Sequence, residues 1–146
     1  MNFSNMYIYL IVAAVVIVFM AAYLGSVRKF YDRFMWWDRL IHFLSGVLFV
    51  SFGVTLSQGI NNLTRFHIVL FSLVLSVSLH VVWELGEYAV DSLFRKNHQR
   101  WQKHNIAVTH TPQNAIQPAG LVDTMNDTII CIIGSLFACV MWFFVL

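Results

Sequence analysis

Six of the chain's seven acidic residues fall in three groups whose spacing matches a helix. Asp38 and His42 stand four apart, as do Asp123 and Asp127. His80, Glu84, Glu87 and Asp91 follow one another at intervals of four, three and four. Residues three and four apart share a helix face, so each group makes one polar stripe. Carboxylates and imidazoles gathered in this way are the donors that hold Mn²⁺, Zn²⁺, Fe²⁺ or Mg²⁺. Helix bundles build such centres from inward-facing acids and histidines on neighbouring helices. Asp38, His42, Glu84, Glu87, Asp123 and Asp127 are therefore the candidate ligands, with His80 and Asp91 as secondary candidates.

The surroundings make these acids costly. Of the 146 residues, 59% are hydrophobic and 11% charged, and the mean hydropathy is +0.70. A soluble domain carries roughly 25% charged residues, so this chain has too little polar surface to face water all round. An acid at the bilayer centre costs about 2.5 kcal/mol or more, and six kept near membrane helices need a reason. The net charge of +2 is too mild to argue for a nucleic-acid partner.

Four apolar runs are long enough to cross roughly 30 Å of hydrocarbon as helices. They lie at about 6–24, 40–58, 66–94 and 124–146, and they predict an all-α polytopic membrane protein, a four-transmembrane-helix bundle forming one domain. A β-barrel would show short alternating segments instead. The first run lacks a basic leader and a small-residue cleavage site, so it reads as a span and not as a signal peptide. Cys131 and Cys139, eight apart in the last run, are too far apart along a helix to bridge and read as apolar fillers.

The connections set the orientation. The stretch from Gly25 to Trp37 is short, basic and aromatic, 59–65 is a tight turn, and 95–121 is the one long loop. With Arg39 included, the first and third connections hold eight of the nine Lys and Arg residues, and the second holds only Arg65. The positive-inside rule then places the first and third connections in the cytoplasm and both termini outside. With this topology Asp38 and His42 open the second span, Glu84 to Asp91 close the third, and Asp123 and Asp127 open the fourth. All three acidic groups reach the cytoplasmic end of the bundle, with His80 about one turn deeper. Arg39, Arg95 and Lys96 are placed to contact anionic lipid headgroups. Gly46, Gly86 and Gly134 lie on or beside the polar stripes and would let helices approach closely.

The ordered motifs Asp38-Arg39-Leu40-Ile41-His42-Phe43, Trp83-Glu84-Leu85-Gly86-Glu87 and Asp123-Thr124-Met125-Asn126-Asp127, followed by Gly134, resemble the YjdF-like (DUF2238-type) family of bacterial inner-membrane proteins. The layout is more distantly similar to VanZ-type proteins. The resemblance spans about Asp38 to Gly134 and implies a multi-pass protein of the bacterial inner membrane. It implies no chemistry, because no activity is attached to the family.

Carboxylates that share a site must take up protons, pair with cations or bind a metal. Three functional classes meet that demand. The first is a metal-dependent enzyme acting on a lipid or lipid-linked phosphate at the cytoplasmic leaflet. The second is a structural or regulatory membrane protein whose polar cluster locks the helices. The third is a component of a proton or metal-ion transporter. Four helices would need a homo-oligomer to form a pore, and only Ser72, Ser76 and Ser78 continue a polar path outward. Blander roles exist for each group: capping for Asp123 and Asp127, pairing with Arg39 or Arg95 for the glutamates, and solvation for Asp91, His98, His104 and His110.

Overall fold

A computed structural model describes residues 3–34, 36–58, 60, 62–94 and 119–146. Among them it contains helices and turns and no strand. The helices are α1 (Phe3–Phe19), continued by a π-helical stretch Met20–Val27, then α2 (Phe30–Arg33), α3 (Trp37–Ser57), α4 (Arg65–Phe94) and α5 (Ala119–Val145). Four of them are long and apolar enough to cross a membrane, over Asn5–Val27, Trp37–Ser57, Arg65–Val90 and Leu121–Val145. The all-α, four-span architecture is the one the hydropathy pattern predicts.

The first span runs further than its apolar run suggests. Arg28 N–H donates to the Tyr23 carbonyl at 2.9 Å, a bond reaching back five residues, which is the π-helical pattern. Lys29 then takes a left-handed conformation (φ 59°) and ends the helix. The short α2 follows, and a ring of Tyr31 lies against Gly25 where any larger side chain would sit. The turn between α3 and α4 uses a second left-handed residue, Asn62 (φ 69°), a residue type that tolerates this conformation.

Helices α3, α4 and α5 pack on one another, whereas among the described residues α1 touches α3 but neither α4 nor α5. α3 and α5 run parallel: His42 meets Asp127 near their starts, and Trp142 Nε1 donates to Ser51 Oγ at 3.0 Å near their ends. α4 runs antiparallel to both. Lipid tails are as apolar as leucine, so close packing and polar contacts must hold such helices together. Small residues supply both. Gly46 lies against the Cys131 carbonyl of α5, and Gly134 against the Phe43 carbonyl of α3, a reciprocal pair of backbone approaches. A Cβ on Gly53 would come within 2.7 Å of Ser72 Cα on α4. At the Gly46 level the hydroxyls of Ser76 (α4) and Ser135 (α5) share a hydrogen bond of 2.8 Å. Toward the α3–α4 turn, Val50, Val54, Ala138 and Cys139 form the buried apolar core. Cys139 therefore sits where an apolar filler would.

Candidate functional site

The start of α3, the second half of α4 and the start of α5 meet at one end of the bundle, opposite the apolar core. Helix periodicity decides which side chains turn inward there. From α3 come Asp38 and His42, one turn apart; from α4, His80 and Glu84; from α5, Thr124, Asp127 and Thr128. His42, His80, Glu84 and Asp127 are each between 1% and 7% exposed. Charged and polar groups this deeply buried must be satisfied by partners.

Two sets of donor atoms converge. His42, His80 and Glu84 offer ligand atoms all within 4.8 Å of one another, and so do Asp38, His42 and Asp127. His42 belongs to both sets and joins them. Its Nε2 lies 3.7 Å from Asp38 Oδ1 and 3.6 Å from Asp127 Oδ2, and His80 Nε2 lies 3.6 Å from Glu84 Oε1. These separations exceed a direct hydrogen bond. The two His42 separations are close to the roughly 3.4 Å that separates two ligands of a tetrahedral ion held at about 2.1 Å. The rings of His42 and His80 meet edge to face, 5.3 Å between centroids and 87° between planes.

The outer contacts suit a ligand set. Thr128 Oγ1 donates to the Thr124 carbonyl at 2.8 Å, so its oxygen is left to accept from His80 Nε2–H at 3.2 Å. That tautomer keeps a lone pair on Nδ1. A histidine oriented through one ring nitrogen by a neighbouring oxygen is the usual arrangement around metals. Glu84 Oε1 is buried without a hydrogen-bond partner among the described residues, and a buried acceptor left so bears the cost of its desolvation.

The remaining candidates form a rim. Asp127 lies within electrostatic range of Asp38, Asp123, Glu84 and Glu87, so the acids of all three helices share one field. Glu87 is half-buried and accepts a hydrogen bond from Trp83 Nε1 at 2.8 Å. Asp123 is likewise half-buried. Neither belongs to the two converging sets. His80, ranked second on sequence, lies at the centre. Thr128 escaped the sequence reading, although its signal was present: Thr124, Thr128, Cys131 and Ser135 form a small-residue stripe along α5 at helical spacing. Arg39 is exposed in the first turn of α3. The side chain of Asp91, together with Arg95 and Lys96, lies outside the described residues, as do His98, His104, His110 and all of the long loop up to residue 118.

The family described as a predicted membrane protein (DUF2238) matches residues 1–146. The chain belongs to this DUF2238 family. Membership thus extends from the three motifs between Asp38 and Gly134 to the full length, the peripheral α1 included. No curated protein and no solved structure matches the chain. For this family member, the chemistry has to be argued from the site itself.

Proposed function

We propose that the buried centre holds a divalent metal ion and that the protein uses it on a lipid or lipid-linked phosphate. The observation that carries this reading is the convergence of two donor sets on the shared His42, with Glu84 Oε1 buried and unbonded. Asp38, His42, His80, Glu84 and Asp127 are the ligand set, and Glu87 and Asp123 stand at its edge as proton acceptors. The mix of carboxylate and imidazole suits Mn²⁺, Zn²⁺, Fe²⁺ or Mg²⁺.

The place of the site supports the substrate class. Asp38 stands one residue inside its span and His80 ten residues inside the end of its own, so the donors reach from the membrane surface to about 15 Å below it. On this reading the distribution of Lys and Arg puts this end in the cytoplasm and the termini outside, and the membrane is the bacterial inner membrane that the three motifs suggest by resemblance. A phosphate could not approach five clustered carboxylates unaided, because like charges repel. A divalent ion held by these residues would reverse that field and supply a polarised water. In hydrolysis the water oxygen would bond to phosphorus as the P–O bond to the leaving group breaks, and a carboxylate at the rim would take the water proton and pass it to the departing oxygen. Arg39, and the Arg95 and Lys96 of the long loop, would draw anionic headgroups to this face.

Phosphate release from vesicles of phosphatidic acid, and from vesicles carrying a prenyl diphosphate, tests the reading. Release with added Mn²⁺ is expected, and it should be lost on chelation and in Asp127→Asn. Metal-loaded protein that releases phosphate from neither vesicle would overturn the enzyme reading and leave the bland one, in which His42–Asp127 and His80–Thr128 contacts lock three helices together.

A further inference from the structure

Glycine inside a helix costs roughly 0.5–1 kcal/mol relative to alanine, so each helical glycine invites a packing explanation. Gly25, Gly46, Gly53 and Gly134 have one, since a Cβ on each would strike a neighbouring residue. Gly86 has none among the described residues: a Cβ there would meet nothing within 4 Å. The space it leaves open belongs to a groove of about 530 Å³ whose floor is Phe49 of α3 and whose wall is Leu79, Val82, Gly86 and Val90 of α4. This wall rises about 16 Å along the helix. A second hollow of about 270 Å³ shares Phe49 and Leu79 and continues toward Leu10 and Ala14 of α1. The trough exists because α1 leans on α3 without reaching α4.

The trough is polar at one end only. Trp83 and Glu87 close it, joined by their 2.8 Å hydrogen bond. At about 100° per residue, the groove face of α4 and the His80–Glu84 face meet at Glu87. This one residue therefore both lines the trough and lies in the electrostatic field of Glu84 and Asp127. A site that is apolar along its length, opens laterally on a membrane span and ends in polar groups at headgroup depth has the shape of an amphiphile.

We propose that the trough holds the hydrocarbon chain of a membrane lipid, lying past Gly86 with its head at Trp83 and Glu87 beside the buried centre. That the head is a phosphate rests on the metal reading above; that a chain occupies the trough does not. Gly86 is then the residue that determines whether the chain fits.

The test uses the full protein in vesicles containing phosphatidic acid with a photoreactive diazirine in the acyl chain, followed by mapping of the labelled peptides. Labelling concentrated on Leu79–Val90 and Phe49 is expected. Gly86→Leu, whose Cβ has open space around it and whose side chain would extend into the groove, should reduce labelling there about tenfold with metal content unchanged, while Gly86→Ala reduces it little. Even labelling of all lipid-facing helices, unchanged in Gly86→Leu, would show ordinary boundary lipid and overturn the proposal. So would cross-linked dimers joined through α4, which would make the trough an interface between copies. Focused labelling in protein that binds no metal would leave this inference standing and sink the metal reading. Bound metal with even labelling would do the reverse.

Discussion

His42→Ala is expected to abolish metal binding at the buried centre, and to do so more completely than any other single substitution there. The reason is geometric. His42 supplies an atom to both converging donor sets, so its removal leaves His80 with Glu84 on one side and Asp38 with Asp127 on the other. Two remaining donors do not hold a divalent ion against water. Removing an outer-shell partner of a ligand typically costs 10–100-fold in metal affinity, and loss of the shared ligand should exceed the upper end of that range. Glu87→Gln gives the contrast, because Glu87 bonds to Trp83 and stands outside both sets; its effect on affinity should fall within the outer-shell range. Titration of purified protein with Mn²⁺, followed by the ion's paramagnetic signal, measures both. A His42→Ala protein that binds as tightly as the wild type would place the ligands elsewhere.

Gly134→Leu should destabilise the fold by about 3 kcal/mol or more, at the upper end of overpacking effects. Gly134 faces the Phe43 carbonyl, and Gly46 faces the Cys131 carbonyl three residues earlier on α5. Both obstacles are backbone, which cannot swing aside as a side chain can, so the new side chain must push α3 and α5 apart. That separation would also part His42 from Asp127, since His42 adjoins Phe43 on α3 and Asp127 lies two turns before Gly134 on α5. Loss of the thermal transition in detergent, or its marked fall, is the expected readout. Gly86→Ala is the matched control and should be neutral or stabilising by about 0.5–1 kcal/mol, because no neighbour occupies its space. An unchanged transition in Gly134→Leu would mean that α3 and α5 do not touch at this level.

These two predictions draw on different amounts of sequence information. The four spans were legible because lipid imposes one requirement, about 20 apolar residues in a helix, and each run meets it. The meeting of Asp38, His42, Glu84 and Asp127 at one bundle end was legible from helix direction alone, since α3 and α5 begin where α4 ends. Which residues turn to the centre was harder to read. His80, Glu84 and Glu87 all lie within one stripe, and spacing along a helix gives a face but not the neighbour opposite it. The structure separates them: His80 meets His42 and Thr128, while Glu87 turns to Trp83. Gly46 and Gly134 could be noticed as small residues on polar stripes, yet their reciprocal fit depends on α3 and α5 being parallel neighbours. The peripheral seat of α1, and with it the trough beside Gly86, had no sequence signal, because an apolar helix reads the same whether it faces lipid or protein.

The most direct measurement is the divalent metal content of the purified wild-type chain, determined by elemental analysis after supplementation with Mn²⁺, Zn²⁺, Fe²⁺ or Mg²⁺ and removal of unbound ion. At least one tightly held ion per chain, lost in His42→Ala, is the result that the convergence of donors on His42 predicts. A folded wild-type protein that holds none of the four would contradict it.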